Sequence, residues 1–349
     1  MTIGKGKLLL RRWLAFELHI DSLLQKRVDM SRLSASSPDA NKTMSSETIE
    51  RKSGAAYRYV VVDVFTQHPL EGNPLAVFPR AANMDDVLMQ RIARELNLAE
   101  TAFVVPTTHA DCTVGVRIFT PTKEMIFAGH PTIGTAFVLM EEGIVPGKKE
   151  HFVLEEKVGP VPIRVEWSRR PLLWLRTPPV DYGEFYDRAA CAKVLGLTLK
   201  DFIDVTPQLV SAGNPTILIP LKDKHTVDRA FIDLHGLRTL KGADHEPVCV
   251  FVFTPTCDGA YSRMFAPEYG VPEDPATGSS TGPLASFMMR HGLISGVSGN
   301  RFVSEQGTKM GRRSILHVHI VGQNGVDGIE VGGHVTPIAE ATMRLGEHR

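Results

Sequence analysis

Two stretches of this 349-residue chain repeat one pattern, and that repetition is the strongest constraint on its fold. Residues 117–136 read RIFTPTKEMIFAGHPTIGTA, and residues 263–285 read RMFAPEYGVPEDPATGSSTGPLA. Each opens as a strand, reaches an ionisable residue directly before a proline, and continues through Thr and Gly into an apolar run typical of a helix. Two related halves usually face each other across a cleft. The sequence therefore predicts that His130 and Asp274 face one another across a ligand, each near a helix N-terminus.

The composition is that of an ordinary globular protein, with 43% hydrophobic and 22% charged residues. Its 39 basic and 39 acidic residues balance, which gives no electrostatic basis for binding nucleic acid or an anionic membrane. No apolar run reaches the length needed to cross a bilayer. Four cysteines without metal-ligand spacing predict neither a zinc site nor a disulfide framework. We therefore expect a cytoplasmic protein without a metal, whose partner is a small molecule.

The length favours two domains, because single cores stop growing near roughly 250–300 residues. We predict an N-terminal domain over residues 57–180, completed by residues 336–349, and a C-terminal domain over residues 181–335. Residues 1–56 are rich in polar residues and are expected to form a flexible extension. The alternative is a mitochondrial presequence, because several Lys and Arg could line one face of a helix, although interspersed acidic residues argue against it.

Local patterns predict an α+β fold in which a few helices pack against strongly bent sheets. A β-branched strand is predicted at residues 57–65, and a helix at residues 84–97 with Asn83 as its N-cap. Further helices are predicted directly after each repeated motif. There is neither a regular alternation of strands and helices nor a G-x-G-x-x-G following a strand, so a dinucleotide-binding domain is disfavoured.

Glu100 is a candidate proton carrier because its neighbours are apolar. It lies between the predicted helix and the next strand, beside Leu98, Ala99, Ala102 and Phe103. Burial of a carboxyl disfavours its charged form and raises its pKa toward the range useful for a general acid or base. The alternative is a solvated glutamate at a helix end.

Each repeated motif also predicts an anion-binding helix N-terminus. In the first, Gly129 permits a close backbone approach and Pro131 suits the first helical position. Free backbone amides near a helix start attract anions, which the helix dipole reinforces. The amides predicted to be free are those of Thr132, Ile133 and Gly134 in the first motif and of Gly278, Ser279 and Ser280 in the second. The alternatives are a packing role for His130 and a helix-capping role for Asp274.

Five motifs together resemble the PhzF family of phenazine-biosynthesis-like isomerases, from about Tyr57 to the C-terminus. They are GNPLAVF at 72–78, NLAETAFVV at 97–105, RIFTP with FAGHPTIG at 117–134, EDPATGSS at 273–280 and EQGTKMGR at 305–312. The resemblance implies a fold similar to diaminopimelate epimerase. That fold has two pseudo-symmetric domains, each a curved, mostly antiparallel and barrel-like sheet around a central helix, with the active site between them. A homodimer is also implied.

The resemblance implies isomerisation by acid–base chemistry without a cofactor. It makes Glu100 the proton shuttle, and it makes His130, Asp274 and Ser279 the groups that orient the substrate and assist proton movement. A small carboxylic acid is the implied substrate. Its carboxylate would be held by the amides of Gly278 and Ser280, and Gly129, Thr132 and Gly213 complete the predicted substrate-binding residues.

The chain departs from the family pattern at two places near the predicted site. Arg313 stands where the family commonly has proline, and Asn214-Pro215 alters the small, polar stretch after Gly213. None of the four cysteines falls inside either repeated motif, so the two-thiol chemistry of related racemases is disfavoured.

Three functions stay open at this point. The favoured one is an isomerase acting on a small unsaturated or amino carboxylic acid. The second is a non-catalytic small-molecule-binding or scaffold protein on the same fold, because a fold alone does not decide activity. The third is a dehydratase or lyase that uses the same glutamate. The presence of every implied catalytic residue favours an enzyme.

Overall fold

The computed structural model describes residues 55–242, 246–294, 300–322 and 328–346. The predicted extension or presequence over residues 1–56 falls outside the described residues as far as residue 54, and Ala56 is already the first residue of a strand. Across the described ranges, no helix combines the length and the apolarity that a membrane crossing requires.

Strands dominate the described part of the chain and join into one 18-stranded sheet. The strands are β1 (Ala56–Val64), β2 (Asn73–Phe78), β3 (Glu100–Val105), β4 (Val114–Phe119), β5 (Glu124–Met125), β6 (His151–Glu156), β7 (Gly159–Glu166), β8 (Leu172–Arg176), β9 (Asp181–Phe185), β10 (Gln208–Ser211), β11 (Thr216–Pro220), β12 (Cys249–Thr256), β13 (Gly259–Ala266), β14 (Val271–Asp274), β15 (Arg301–Gln306), β16 (Ser314–Val321), β17 (Gly328–Gly333) and β18 (Val335–Arg344).

Helices are few. The α-helices of the described ranges are α1 (Asp86–Leu96), α2 (Gly129–Glu141), α3 (Arg188–Val194), α4 (Lys224–Arg229), α5 (Leu234–Lys241) and α6 (Gly278–Arg290). Short 3-10 turns cover Leu199–Asp201, Pro267–Tyr269 and Thr308–Met310.

The repetition seen in the sequence is also present in the strand pairing. In the first half, β2 pairs parallel with β3, β3 antiparallel with β4, and β4 parallel with β6. In the second half, β11, β12, β13 and β15 repeat these three pairings in the same order. Each series also carries one short antiparallel strand, β5 or β14, just ahead of a helix. The predicted α+β fold with two pseudo-symmetric halves is therefore confirmed.

The two helices that follow the repeated motifs are the centres of these halves. All residues from Gly129 to Leu139 of α2 are buried, and α6 is buried from Gly278 to Ala285. A helix that is buried on every side belongs inside a core. Strands from both ends of the chain pack around α2, and β10, β11, β16 and β17 pack around α6.

The last strand returns to the first. β18 pairs antiparallel with β1 along the whole length of β1, from Ala56 opposite Arg344 to Val64 opposite Val335. The C-terminal strand thus lies in the sheet around α2. The proposed domain boundaries at residues 57–180 and 181–335 stay a prediction.

The start of α1 differs from the sequence-based expectation. Asp85, rather than Asn83, is the N-cap: its backbone is extended and its side chain accepts a hydrogen bond of 2.8 Å from the amide of Leu88. Asn97 ends the helix in a left-handed conformation, with φ of 50°. This tight ending places Glu100 at the first position of β3, only a few residues beyond the helix.

Candidate active site between two helix N-termini

The N-termini of α2 and α6 meet beside a cavity of about 60 Å³. Glu100, His130, Asp274 and Ser279 all line this cavity, and so do Gly129 and Gly278. The structure therefore brings together the four side chains predicted to act on substrate. Within the described residues, no group of three or more His, Cys, Asp or Glu side chains is arranged to hold a metal ion.

The contact between Glu100 and His130 joins a carboxyl group to a neutral imidazole. Oε2 of Glu100 lies 3.5 Å from Nε2 of His130, a distance within the range of an ion pair. However, burial lowers the pKa of His130 to about 3, so the ring is uncharged at neutral pH. The two groups are therefore close enough for a weak hydrogen bond or for contact with one shared substrate, but they do not form an ion pair.

Both carboxyl groups of the cavity have raised pKa values. Burial is the main cause of the raised pKa of Glu100, and the negative charge of Asp274 adds to it. Burial also raises the pKa of Asp274, although hydrogen bonds from Thr277 and Asn73 oppose the shift. Since the two acids influence each other, they titrate as a pair. Such a pair holds a proton nearer neutral pH than an exposed carboxyl does, as acid–base catalysis requires.

Asp274 is held rigidly by its neighbours. Its Oδ2 accepts a 2.6 Å hydrogen bond from the hydroxyl of Thr277, and its Oδ1 accepts one of 2.8 Å from Nδ2 of Asn73. The side chain of Gln306 donates to the carbonyl of Asp274 at 2.7 Å and accepts from the amide of Thr277 at 3.1 Å. Asp274 is therefore suited to orienting a substrate.

α2 begins earlier than its proline suggests, and α6 begins at Gly278, three residues after Pro275. α2 starts at Gly129, so Pro131 occupies the third helical position and the amide of Thr132 already donates to the carbonyl of Ala128 at 3.2 Å. In α6, the amide of Ser280 donates to the carbonyl of Thr277 at 3.2 Å. The prediction that the amides of Thr132 and Ser280 are free is therefore wrong. The amides at the first helical positions are those of Gly129 and His130 in α2 and of Gly278 and Ser279 in α6.

Three residues predicted to bind substrate do not line the cavity: Thr132, Ser280 and Gly213. The hydroxyl of Ser280 lies 2.9 Å from that of Thr216. Gly213 is exposed, but its neighbour Asn214 does line the cavity and donates to the hydroxyl of Ser279 at 3.1 Å. The departure from the family pattern at Asn214 therefore falls on the cavity wall.

Two side chains of the cavity region were not identified from the sequence. Asn73 is completely buried and contacts both His130 and Asp274. The only indication of Asn73 in the sequence was its place in the GNPLAVF motif.

Cys249 lines the cavity at the start of β12, and burial raises the pKa of its thiol to about 12. A thiol that stays protonated is a poor base, so Glu100 is the better candidate for that role.

A buried glutamic acid outside the cavity, Glu156, contacts Thr132 near the start of α2. The hydroxyl oxygen of Thr132 lies 2.7 Å from the carbonyl oxygen of Ala128 and 2.5 Å from Oε1 of Glu156. A hydroxyl has one hydrogen and a carbonyl can only accept. Burial raises the pKa of Glu156 to about 8, so this carboxyl keeps its proton at neutral pH. With Glu156 protonated, both short contacts are satisfied when Thr132 donates to Ala128 and Glu156 donates to Thr132.

A Glu156→Gln variant is expected to gain stability over the wild type as the pH rises from 5 to 8. The folded pKa of Glu156 lies above its unfolded value, so the unfolded chain binds fewer protons in this range and the wild type loses stability. Glutamine stays neutral and can still donate to Thr132. The difference in the free energy of unfolding should grow by roughly 1 kcal/mol per pH unit, measured by urea denaturation.

Glu155→Gln provides the matched control on the same strand. Glu155 accepts hydrogen bonds from Thr107, Thr108 and His109, which lower its pKa to about 2. Its substitution should therefore change stability equally at pH 5 and pH 8. If Glu156→Gln behaves in the same way, Glu156 is not protonated in the folded protein.

Comparison with known proteins places the chain in a family. The family model described as phenazine biosynthesis-like protein (PhzC-PhzF) matches residues 62–341. Trans-2,3-dihydro-3-hydroxyanthranilate isomerase of Pseudomonas aeruginosa is 35% identical over 300 residues, which cover 83% of this chain and all of the relative. A predicted epimerase from Pseudomonas aeruginosa has a TM-score of 0.68 at 32% identity and covers 82% of this chain and 99% of its own. A PhzF-family protein of Bacillus anthracis has a TM-score of 0.74 at 22% identity. The match covers 83% of this chain and 100% of the Bacillus anthracis chain.

The chain belongs to the phenazine biosynthesis-like family, as its sequence motifs predict. Its fold is the diaminopimelate epimerase-like fold that this family shares with proline racemase-like proteins. Several curated relatives, among them those of Pseudomonas aeruginosa and Mesorhizobium japonicum, are named isomerases, and this chain is an isomerase of the same family.

Proposed function

We propose that this isomerase moves a proton between two carbon atoms of a small unsaturated or amino carboxylic acid, with Glu100 as the proton carrier. The observation that carries the proposal is the position of Glu100, whose partly buried carboxyl lines the cavity 3.5 Å from the neutral ring of His130. Its raised pKa suits a group that must both take and return a proton.

The proposed step moves one proton and leaves the atomic composition unchanged. Ionised Glu100 removes a proton from a carbon next to the π-system of the substrate, and the electron pair of that C–H bond enters the π-system. The protonated Glu100 then returns the proton to another carbon, which restores its carboxylate. The double bond has moved, and no external reactant is consumed.

The remaining groups of the cavity have supporting roles in this proposal. The first residues of α2 and α6 line the cavity, where a substrate carboxylate would gain from two helix N-termini. Asp274 and Ser279, each fixed by a hydrogen bond from an asparagine, would hold the substrate's polar substituents. Such positioning supplies much of the rate gain in reactions of this kind.

The named relative gives the first compound to test. Trans-2,3-dihydro-3-hydroxyanthranilate is the substrate in the name of the Pseudomonas aeruginosa relative. It carries a carboxylate and an unsaturated ring, which are the features that the cavity is proposed to recognise. We propose this class of compound, rather than this compound alone, as substrate.

The proposal is tested by incubating the protein with candidate acids in D2O and following them by NMR and mass spectrometry. We expect an isomerised product in which the receiving carbon carries deuterium to the extent that the proton on Glu100 exchanges with solvent before its return, and no such product with Glu100→Gln. Loss of water from the substrate would instead identify a dehydratase or lyase. Binding of an acid without isomerisation or exchange would identify a binding protein.

Three further expectations stay predictions. They are a homodimer, a cytoplasmic location and independence from cofactors. Size-exclusion chromatography with light scattering measures the first, and activity after exhaustive dialysis against chelator measures the last.

A further inference from the structure

Asn73 joins the two halves of the site at a buried position. Its amide nitrogen lies 2.8 Å from Oδ1 of Asp274, 2.9 Å from the carbonyl oxygen of Ala276 and 3.2 Å from Nδ1 of His130. The side chain is completely buried at the start of β2, 57 residues from His130 and 201 residues from Asp274 along the chain. One amide group thus contacts both ionisable residues of the repeated motifs.

The orientation of this amide is fixed by a carbonyl group. The oxygen of Ala276 can only accept a hydrogen bond, so the NH2 group of Asn73, and not its oxygen, must face it. The contact with Asp274 agrees with this orientation whenever Oδ1 of Asp274 is unprotonated. The nitrogen of Asn73 is therefore the atom that faces His130.

That orientation decides where His130 carries its proton. If Nδ1 were protonated, its N–H would point at the NH2 group of Asn73, and two donors would face each other in a buried place. Nδ1 must therefore present its lone pair, and a neutral ring then carries its hydrogen on Nε2. We infer that Asn73 is a positioning residue that fixes His130 as the Nε2–H tautomer, an inference that rests on the proposed function for its role in turnover.

The tautomer limits what His130 can do in the reaction. Nε2 is buried, has no hydrogen-bond partner within the described residues, and lies 3.5 Å from Oε2 of Glu100. As an N–H it is free to donate into the cavity, to a substrate oxygen or to the carboxylate of Glu100 if their 3.5 Å distance shortens. It does not accept a proton there. His130 is thus a donor that stabilises negative charge, and Glu100 is left as the base.

Burial of His130 supports the same assignment. The ring is 4% exposed, and its pKa of about 3 keeps it neutral across the range in which the enzyme would work. A neutral ring has a choice between two tautomers, and the contact with Asn73 removes that choice. The wrong tautomer is costly in other enzymes: in the Ser-His-Asp triad of serine proteases, replacing the aspartate by asparagine reduces turnover by about 10⁴.

The first experiment measures the tautomer directly in the wild-type protein. Long-range ¹H–¹⁵N spectra distinguish a protonated ring nitrogen from one with a lone pair, and His130→Gln identifies the signal of His130. We expect Nδ1 to show the shift of an unprotonated nitrogen and Nε2 that of an N–H, unchanged between pH 6 and pH 8. A signal for the Nδ1–H tautomer, or for the charged ring, overturns the inference.

The second experiment changes the group that faces Nδ1. Asn73→Asp replaces the donor by an acceptor of the same shape, so His130 should switch to the Nδ1–H tautomer and turnover should fall at least tenfold. Asn73→Ala removes the donor and should yield a mixture of tautomers. Asn214→Asp adds the same charge on another wall of the cavity and should leave the Nε2–H tautomer in place. An unchanged tautomer in both Asn73 variants also overturns the inference.

These measurements separate the inference from the proposed function. The tautomer of His130 is read from the spectra whether or not a substrate has been found. If the wild type has the Nε2–H tautomer but no acid is isomerised, the proposed function fails and the role of Asn73 stands. If an acid is isomerised while His130 carries its proton on Nδ1, the proposed function stands and the inference about Asn73 fails.

Discussion

Glu100→Gln is expected to lower kcat at least 10³-fold while the protein stays folded. A positioned acid–base group typically contributes about 10²–10⁴ in rate, and here one group both removes and returns the proton. Glutamine fills nearly the same volume but cannot carry a proton between two carbons. Initial rates with an accepted substrate measure this effect, and deuterium exchange should disappear together with turnover.

The stability of the same variant distinguishes lost chemistry from lost folding. Burial raises the pKa of Glu100 in the folded state, so the wild type loses stability as the pH rises above the ordinary glutamate value. Glutamine avoids that loss, and E100Q should therefore melt at the same or a higher temperature than the wild type at pH 8. Such a gain is common where an active site is strained.

Glu95→Gln is the matched control for the loss of turnover. Glu95 lies on the exposed face of α1, five residues before Glu100, and the same change there should leave kcat unaltered. If E100Q retains wild-type turnover, Glu100 is not the proton carrier. If both variants lose activity equally, the loss comes from the segment and not from the carboxyl group.

The fold was largely predictable because its two halves share one sequence pattern. The strand, proline and apolar run of each motif correspond to β4, β5 and α2 in the first half and to β13, β14 and α6 in the second. Helices α4 and α5 were missed, because each is shorter than three turns and too short for a clear period. Their aspartate caps, Asp223 and Asp233, were the remaining signal.

The site was predictable only where function lies within a motif. Glu100, His130, Asp274 and Ser279 each belong to a recognisable stretch, and the cavity brings them together. Asn73 also lies in a motif, GNPLAVF, but it contacts residues far away in the chain, and no local pattern reveals those contacts. The start of α2 was misplaced for a different reason. Proline favours the first helical position, but it is tolerated throughout the first turn, where its missing N–H costs nothing.

The close approach of the two helix N-termini predicts large losses of stability and activity when Gly129 is replaced. A methyl group on Gly129 would lie 2.9 Å from the backbone carbons of Gly278 and from the amide nitrogen of Ser279. Backbone cannot rotate away as a side chain can, so Gly129→Ala must push α2 and α6 apart. We expect a loss of roughly 1–3 kcal/mol in the free energy of unfolding. We also expect at least a 10²-fold loss in kcat/KM, because a shift of about 1 Å in catalytic groups has that effect.

A series of glycine variants tests both the direction and the magnitude of the predicted change in stability. Helix propensity alone predicts that Gly129→Ala stabilises the protein by up to about 1 kcal/mol, so the two causes have opposite signs. At Gly278 the added methyl would meet the nearest atoms at 3.2 Å, and the loss should be smaller. Gly346 has open space around it, and Gly346→Ala should change stability by no more than about 0.5 kcal/mol. Urea denaturation and kcat/KM are measured for the three variants. A Gly129→Ala variant that is stabilised and fully active would contradict the steric argument. The contact between the helices would then tolerate a methyl group, and the spacing of His130 and Asp274 would not depend on it.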